Sequence, residues 1–226
     1  LTGATRAERL QQGLANRGLD AILALTPENA EYLSGRHNYI ASHWRIPGLF
    51  SAIVNRAGER GVVTGDFGGD PRAPSPEAQF VYRIWTEVID VRDRPGDGIA
   101  ARVVSVRPRS VVRPAQFDLD EVFDRIAQAV TALAPAARRI GTEASVLPAA
   151  TVDALRRRLP AVDLVEAGDL LDDLRAQKDP DEIALLRLAC ELTEIGIAGA
   201  IELLQPGQSA PAVNSLYQIA VHERVV

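Results

Sequence analysis

Arg175-Ala176-Gln177-Lys178-Asp179-Pro180-Asp181-Glu182-Ile183 opens a long amphipathic helix late in the chain. Its local chemistry is clear. Asp179 caps the helix, and Pro180 sits at the first turn, where a missing N–H costs nothing. Glu182 reaches back to complete a capping box. Ile183, Leu186, Cys190, Ile197, Ile201 and Leu204 then form a broad apolar stripe, and Pro206-Gly207 ends the helix. Ser209 caps a second helix, on which Val213, Leu216, Tyr217, Ala220 and Val221 mark one face. A motif that launches a new structural unit stands close to Val226. The expectation is a complete N-terminal domain over 1–175, followed by a linker and the first helices of a truncated second domain over 176–226.

Working back from the motif, 1–175 reads as alternating strands and helices. Thr5 to Arg17 is a helix stopped by Gly18, with Leu10 and Leu14 on one face. Asp20 to Leu25 is a short apolar run, the pattern of a strand covered on both sides. Thr26-Pro27-Glu28 starts a helix with a cap hydroxyl, and Gly35 ends it. Leu49 to Val54 and Gly61 to Thr64 are neighbouring strands joined by a polar turn. Asp66 to Pro76 is a Gly/Pro-rich loop, Phe80 to Val91 has strand character, and Arg92 to Gly98 is a turn. The stretch from Ile99 to Pro114 is open between strand and helix. Asp118 begins a helix carrying Val122, Ile126, Val130 and Leu133. Arg139 to Thr142 and Val162 to Val165 are strands; Pro148 to Leu159 and Gly168 to Arg175 are helices. The fold class is α/β, a mixed β-sheet flanked by helices.

Composition narrows the function. The formal net charge is -5, with basic residues scattered among acids and Lys178 the only lysine. That distribution excludes nucleic acid as the main partner. No apolar run is long enough to span a membrane. The first residues are charged and polar, unlike a secretory signal. The single cysteine, Cys190, has no internal disulfide partner and is expected to be a buried, inert thiol in a cytoplasmic protein. The Arg156-Arg157-Arg158 cluster complements a helix C-terminus and needs no ligand. No HExxH, paired cysteines or His/Asp/Glu set with ligand spacing occurs. His37, His43 and His222 read as surface or structural histidines.

Three segments carry a resemblance. Gly18 to Leu23 followed by Pro27-Glu28-Asn29-Ala30-Glu31-Tyr32-Leu33-Ser34-Gly35 resembles the start of the creatinase / prolidase / aminopeptidase P ("pita-bread") family. Ile140-Gly141-Thr142-Glu143 resembles its mid-domain strand. Arg175 to Leu186, with Gly196 and Pro206-Gly207, resembles the crossing into its catalytic domain. The resemblance implies a larger, homodimeric parent that hydrolyses a C–N bond in a small peptide or a creatine-like substrate. Peptidase members use two divalent metals (Mn, Co or Zn) held by Asp, Asp, His, Glu and Glu; creatinase members use a histidine and no metal. Both sets would fall after Val226, so the resemblance assigns this chain no catalytic residue, no metal and no cofactor, and implies that alone it is inactive. It does imply that the loop before Leu49 leans over a neighbouring subunit's active site. Here that loop reads His43-Trp44-Arg45-Ile46-Pro47. Arg45 is suited to clamp a carboxylate and Trp44 to wall a pocket, with His43 beside them. The roles expected of the domain are dimer formation and control of substrate access, with an Xaa-Pro peptidase favoured over a creatinase-type amidinohydrolase or a non-catalytic scaffold. A doubly wound domain binding a small ligand at its strand ends is the other alternative; Leu25-Thr26-Pro27 in place of a glycine-rich turn lowers it.

Overall fold

A computed structural model of the chain describes residues 5–66, 77–85, 89–91, 103–105 and 115–225. These residues divide into two compact units, Leu1–Arg175 and Ala176–Val226. The expected loop at 67–76, the turn at 92–98 and most of Ile99–Pro114 lie outside the described residues.

The first unit is built on a six-stranded sheet. Its strands are β1 (Ala21–Ala24), β2 (Ser51–Asn55), β3 (Arg60–Gly65), β4 (Ala78–Tyr82), β7 (Arg139–Thr142) and β8 (Asp163–Glu166), in the order β4-β3-β2-β1-β7-β8. β5 (Ile89–Val91) and β6 (Val103–Ser105) form a separate antiparallel pair. The main sheet is mixed. β1 pairs antiparallel with β2 and parallel with β7, and β2 is the one strand of this sheet that runs against the other five. β2–β3 is antiparallel; β3–β4 and β7–β8 are parallel. Every residue of β1 and β2 is buried, as an unbroken apolar run such as Ala21-Ile22-Leu23-Ala24 requires of a strand covered on both faces.

The helices of this unit are α1 (Arg6–Arg17), α2 (Pro27–Ser34), α3 (Tyr39–Trp44), α4 (Leu119–Leu133), α5 (Ala149–Arg158) and α6 (Gly168–Ala176). α1 starts in a capping box of Thr5 and Glu8 and stops at Gly18, whose φ of 63° suits glycine. α4 lies on β2, β3 and β4 through Val122, Ile126, Ala129 and Val130. α5 is tied to α4 by Arg158, which donates to Asp124 at 2.6 Å and Asp120 at 2.7 Å. The arginine cluster therefore joins two helices as well as complementing a helix end. Tyr82 is buried in the core, and its hydroxyl donates to the Leu49 carbonyl at 2.8 Å. Burial, with Asp66 nearby, pushes this phenol well above its ordinary range.

Two carboxylates link segments of this unit and are held below their ordinary pKa. Asp20 accepts from the N–H groups of Arg138 (2.8 Å) and Arg139 (3.0 Å), and these bonds are the main cause of its shift. For Glu31, burial is the largest single influence and pushes upward. Hydrogen bonds from Ser42 Oγ (2.6 Å), the His37 ring and the Asn38 N–H together outweigh it. A carboxylate whose folded pKa lies below its unfolded value contributes stability at pH values above the unfolded one, about 4, and loses it as pH falls through the folded one. The urea midpoint is therefore expected to be flat above about pH 5 and to fall below about pH 4, more gently in Asp20→Asn than in the wild type.

The second unit is a pair of helices, α7 (Pro180–Glu202) and α8 (Ala210–Val225). The start of α7 is as the motif dictates: Asp179 is the N-cap, Pro180 is in the first turn, and the Glu182 carboxylate accepts the Asp179 N–H at 2.8 Å. The apolar stripe is left uncovered, and the one reading overturned in it is the burial of Cys190. Ile183, Leu186, Ile197, Ile201 and Leu204 remain exposed, and Cys190 is exposed too, not buried. The buried positions of α7 are Gly196 and Ala200. The reason is steric: at Gly196 and Gly199 a Cβ would lie 2.3 Å from the Tyr217 ring and 2.4 Å from the Ala220 Cβ. Small residues of α7 thus receive Tyr217 and Ala220 of α8.

Candidate functional site

Asn38 explains why His43 and Trp44 are not in a loop. Its side chain accepts the Ala41 N–H at 3.0 Å and caps α3, so His43 and Trp44 occupy the last turn of a short helix. Arg45 is the C-cap, with φ of 53°; its N–H donates to the Ala41 carbonyl at 2.8 Å. Among the described residues Arg45 is the one non-glycine residue with positive φ. Glycine would adopt this conformation with less strain, so an arginine here has a cost that its side chain must justify.

The three candidate residues are neighbours with separate partners. The Trp44 ring packs 5.6 Å from Phe117. His43 stacks on Tyr39 at 5.8 Å, and Tyr39 is 71% exposed. The Arg45 guanidinium lies 2.6 Å from Glu28 and is itself largely exposed. The result is an aromatic, singly basic surface. Sequence reading missed Glu28, Phe117 and Tyr39. Helical spacing could have supplied Tyr39, four residues before His43; the other two are non-local.

A second cluster gathers at the C-terminal ends of β1, β7 and β8, in a cleft of about 390 Å³. At its floor is Glu143, 1% exposed. One carboxylate oxygen accepts the N–H groups of Leu25 (2.7 Å) and Thr26 (3.2 Å). The other accepts the Thr26 hydroxyl and the Asn29 amide, the latter at 2.6 Å. Thr26 thus does not cap α2 with its hydroxyl, contrary to expectation; the hydroxyl is turned to Glu143. The start of α2 already holds an anion supplied by the chain itself. Glu28, Glu166, Asp169 and Asp172 add further negative charge to the cleft, against one cation, Arg175. A phosphate-bearing ligand would meet like charge at the place where doubly wound domains seat one.

Among the described residues no three His, Cys, Asp or Glu side chains converge to hold a metal ion. The donor set of a two-metal peptidase does not fit the described residues. Among the described residues, no helix is long and apolar enough to cross a membrane.

The described residues thus define an α/β unit with a mixed six-stranded sheet. Residues 89–177 match the family model of the Creatinase/Prolidase N-terminal domain. No curated protein matches the chain. Among solved structures, the chain is similar to an Xaa-Pro dipeptidase from Bacillus anthracis, with a TM-score of 0.60 and 14% identity, covering 97% of this chain and 48% of that one. It is also similar to an X-Pro aminopeptidase from Thermotoga maritima (TM-score 0.57, 14% identity, 96% and 49% covered). A third is a prolidase from Pyrococcus horikoshii (TM-score 0.56, 15% identity, 97% and 48% covered). The chain spans about half the length of the solved structures it resembles. The creatinase/prolidase resemblance read from the sequence is the one both comparisons find, and the fold is similar to the N-terminal domain of prolidases.

Proposed function

We propose that this chain acts as the N-terminal domain of a C–N bond hydrolase, an Xaa-Pro peptidase, in a longer cytoplasmic polypeptide that works as a homodimer. Its work there is to form subunit contacts and to narrow access to the active site. The observation that carries this reading is the match of residues 89–177 to the creatinase/prolidase N-terminal domain, supported by a fold likeness to Xaa-Pro-cleaving enzymes. The surface offered to a neighbouring subunit is His43, Trp44 and Arg45. Arg45 clamps the substrate carboxylate and Trp44 walls the pocket. The strained backbone at Arg45 supports a role beyond packing, since glycine would serve packing better.

The test uses the longer polypeptide with an Xaa-Pro dipeptide and an added divalent metal, and creatine as the competing substrate. Xaa-Pro cleavage supports the proposal; creatine hydrolysis supports an amidinohydrolase; neither activity supports a scaffold. Within an active enzyme, Arg45→Gly is expected to raise KM for the dipeptide about tenfold, the scale of one charge-assisted hydrogen bond. Thermal stability is expected to stay level or rise, because glycine relieves the positive φ. An unchanged KM overturns the clamp.

A further inference from the structure

We propose that Glu143, Asn29 and Arg175 form a latch that holds the C-terminal end of α6 against α2. The three residues come from the three segments quoted above, far apart in sequence and joined by hydrogen bonds in the fold. Asn29 is the middle member and is buried, 7% exposed. Its amide nitrogen donates to Glu143 at 2.6 Å, and its amide oxygen accepts from Arg175 Nη1 at 3.0 Å. A carboxylate on one side and a guanidinium on the other leave only one orientation for the amide. Glu143 is itself fixed by Leu25 and Thr26, so the chain of bonds ends on the rigid start of α2.

A second attachment lies one residue away. The Tyr32 hydroxyl donates to the Leu174 carbonyl at 2.8 Å, satisfying an acceptor that a helix end leaves open. Arg6 holds Tyr32 in turn: its guanidinium lies 4.4 Å from the ring centre and donates to the Tyr32 carbonyl at 3.2 Å. Thus α2 grips the last turn of α6 through two side chains one turn apart, Asn29 and Tyr32. Three non-helical residues, Gln177, Lys178 and Asp179, follow immediately. A helix end frays unless its last turn is tied down. Here the tie is built from a buried carboxylate, a polarised amide and a guanidinium.

Lys178 is the only lysine in the sequence, so a lysine-specific endoprotease has one cleavage site, just beyond the latch. Cleavage under native conditions reports local opening, and a urea titration reports global unfolding. Arg175→Ala is expected to be cut about tenfold faster than wild type, with a fall in urea midpoint much smaller than that gain in rate implies. Tyr32→Phe is expected to speed cleavage less, and Arg157→Ala not at all. Asn29→Leu should raise the rate as Arg175→Ala does, and the double variant should add little to either. Cleavage of Arg175→Ala at the wild-type rate overturns the latch. So does a rate increase matched by an equal fall in global stability, or full additivity in the double variant. Arg175 is half-buried, so its variant keeps the test usable even if Asn29→Leu does not fold.

Discussion

Glu143→Ala is expected to lower the unfolding free energy of the Leu1–Arg175 unit by about 3 kcal/mol or more, because it leaves several neutral donors without an acceptor. The loss has two parts. The first is four hydrogen bonds from two backbone N–H groups, a hydroxyl and an amide. The second is larger. Those donors stay behind at the floor of the cleft, and each one left buried and unsatisfied costs about 1–3 kcal/mol. Leu25 is fully buried and Asn29 nearly so, so neither donor can turn to solvent without moving α2. Glu143→Gln should be milder, about 1–3 kcal/mol, because one acceptor oxygen remains while the new NH2 group faces existing donors. Equilibrium urea unfolding measures both. A loss below about 1 kcal/mol in Glu143→Ala would show that the network contributes no more than a typical single hydrogen bond.

Gly141→Val should be the next most damaging change, at about 3 kcal/mol, the upper range for overpacking a core. Gly141 lies in β7, paired with Ile22 on one side and Val165 on the other. A Cβ there would fall 2.7 Å from the Ala167 Cβ and 2.9 Å from a Leu19 methyl. The Ala167 Cβ cannot swing away; only backbone movement makes room. Thermal unfolding of Gly141→Ala and Gly141→Val should show a graded fall, alanine less than valine. By contrast, a Cβ at Gly13 would meet the tip of the Leu170 side chain, which can rotate, so Gly13→Ala should be tolerated better.

Much of the fold was legible in the sequence because it is written in local chemistry. The apolar run 21–24 announced a doubly covered strand, and Gly18 and Gly35 announced helix stops that the structure places in the left-handed region. The Pro180–Glu182 pattern marked a helix start to the residue. What was not legible depends on partners far away. Thr26 looked like a helix cap because nothing in residues 26–29 reveals a carboxylate arriving from position 143. Trp44 and Arg45 looked like loop residues because α3 is only six residues long, too short to show a periodic pattern. In α7, two apolar faces competed, and glycine spacing decided which one meets α8. Of the candidate site, Arg45 and Trp44 could be chosen by residue type. Glu28 could not be, since its pairing with Arg45 crosses the turn between two helices.

The two unlike neighbours of β1, antiparallel β2 and parallel β7, carry a kinetic consequence. β1, β2 and β3 form a meander whose antiparallel contacts close early and cheaply. The other edge of β1 waits for Ile140 and Gly141, which arrive only after an excursion on the order of a hundred residues. Two of the six strands, β7 and β8, must therefore assemble late, onto a template already in place, and refolding should be governed by how long that template survives with one flank bare.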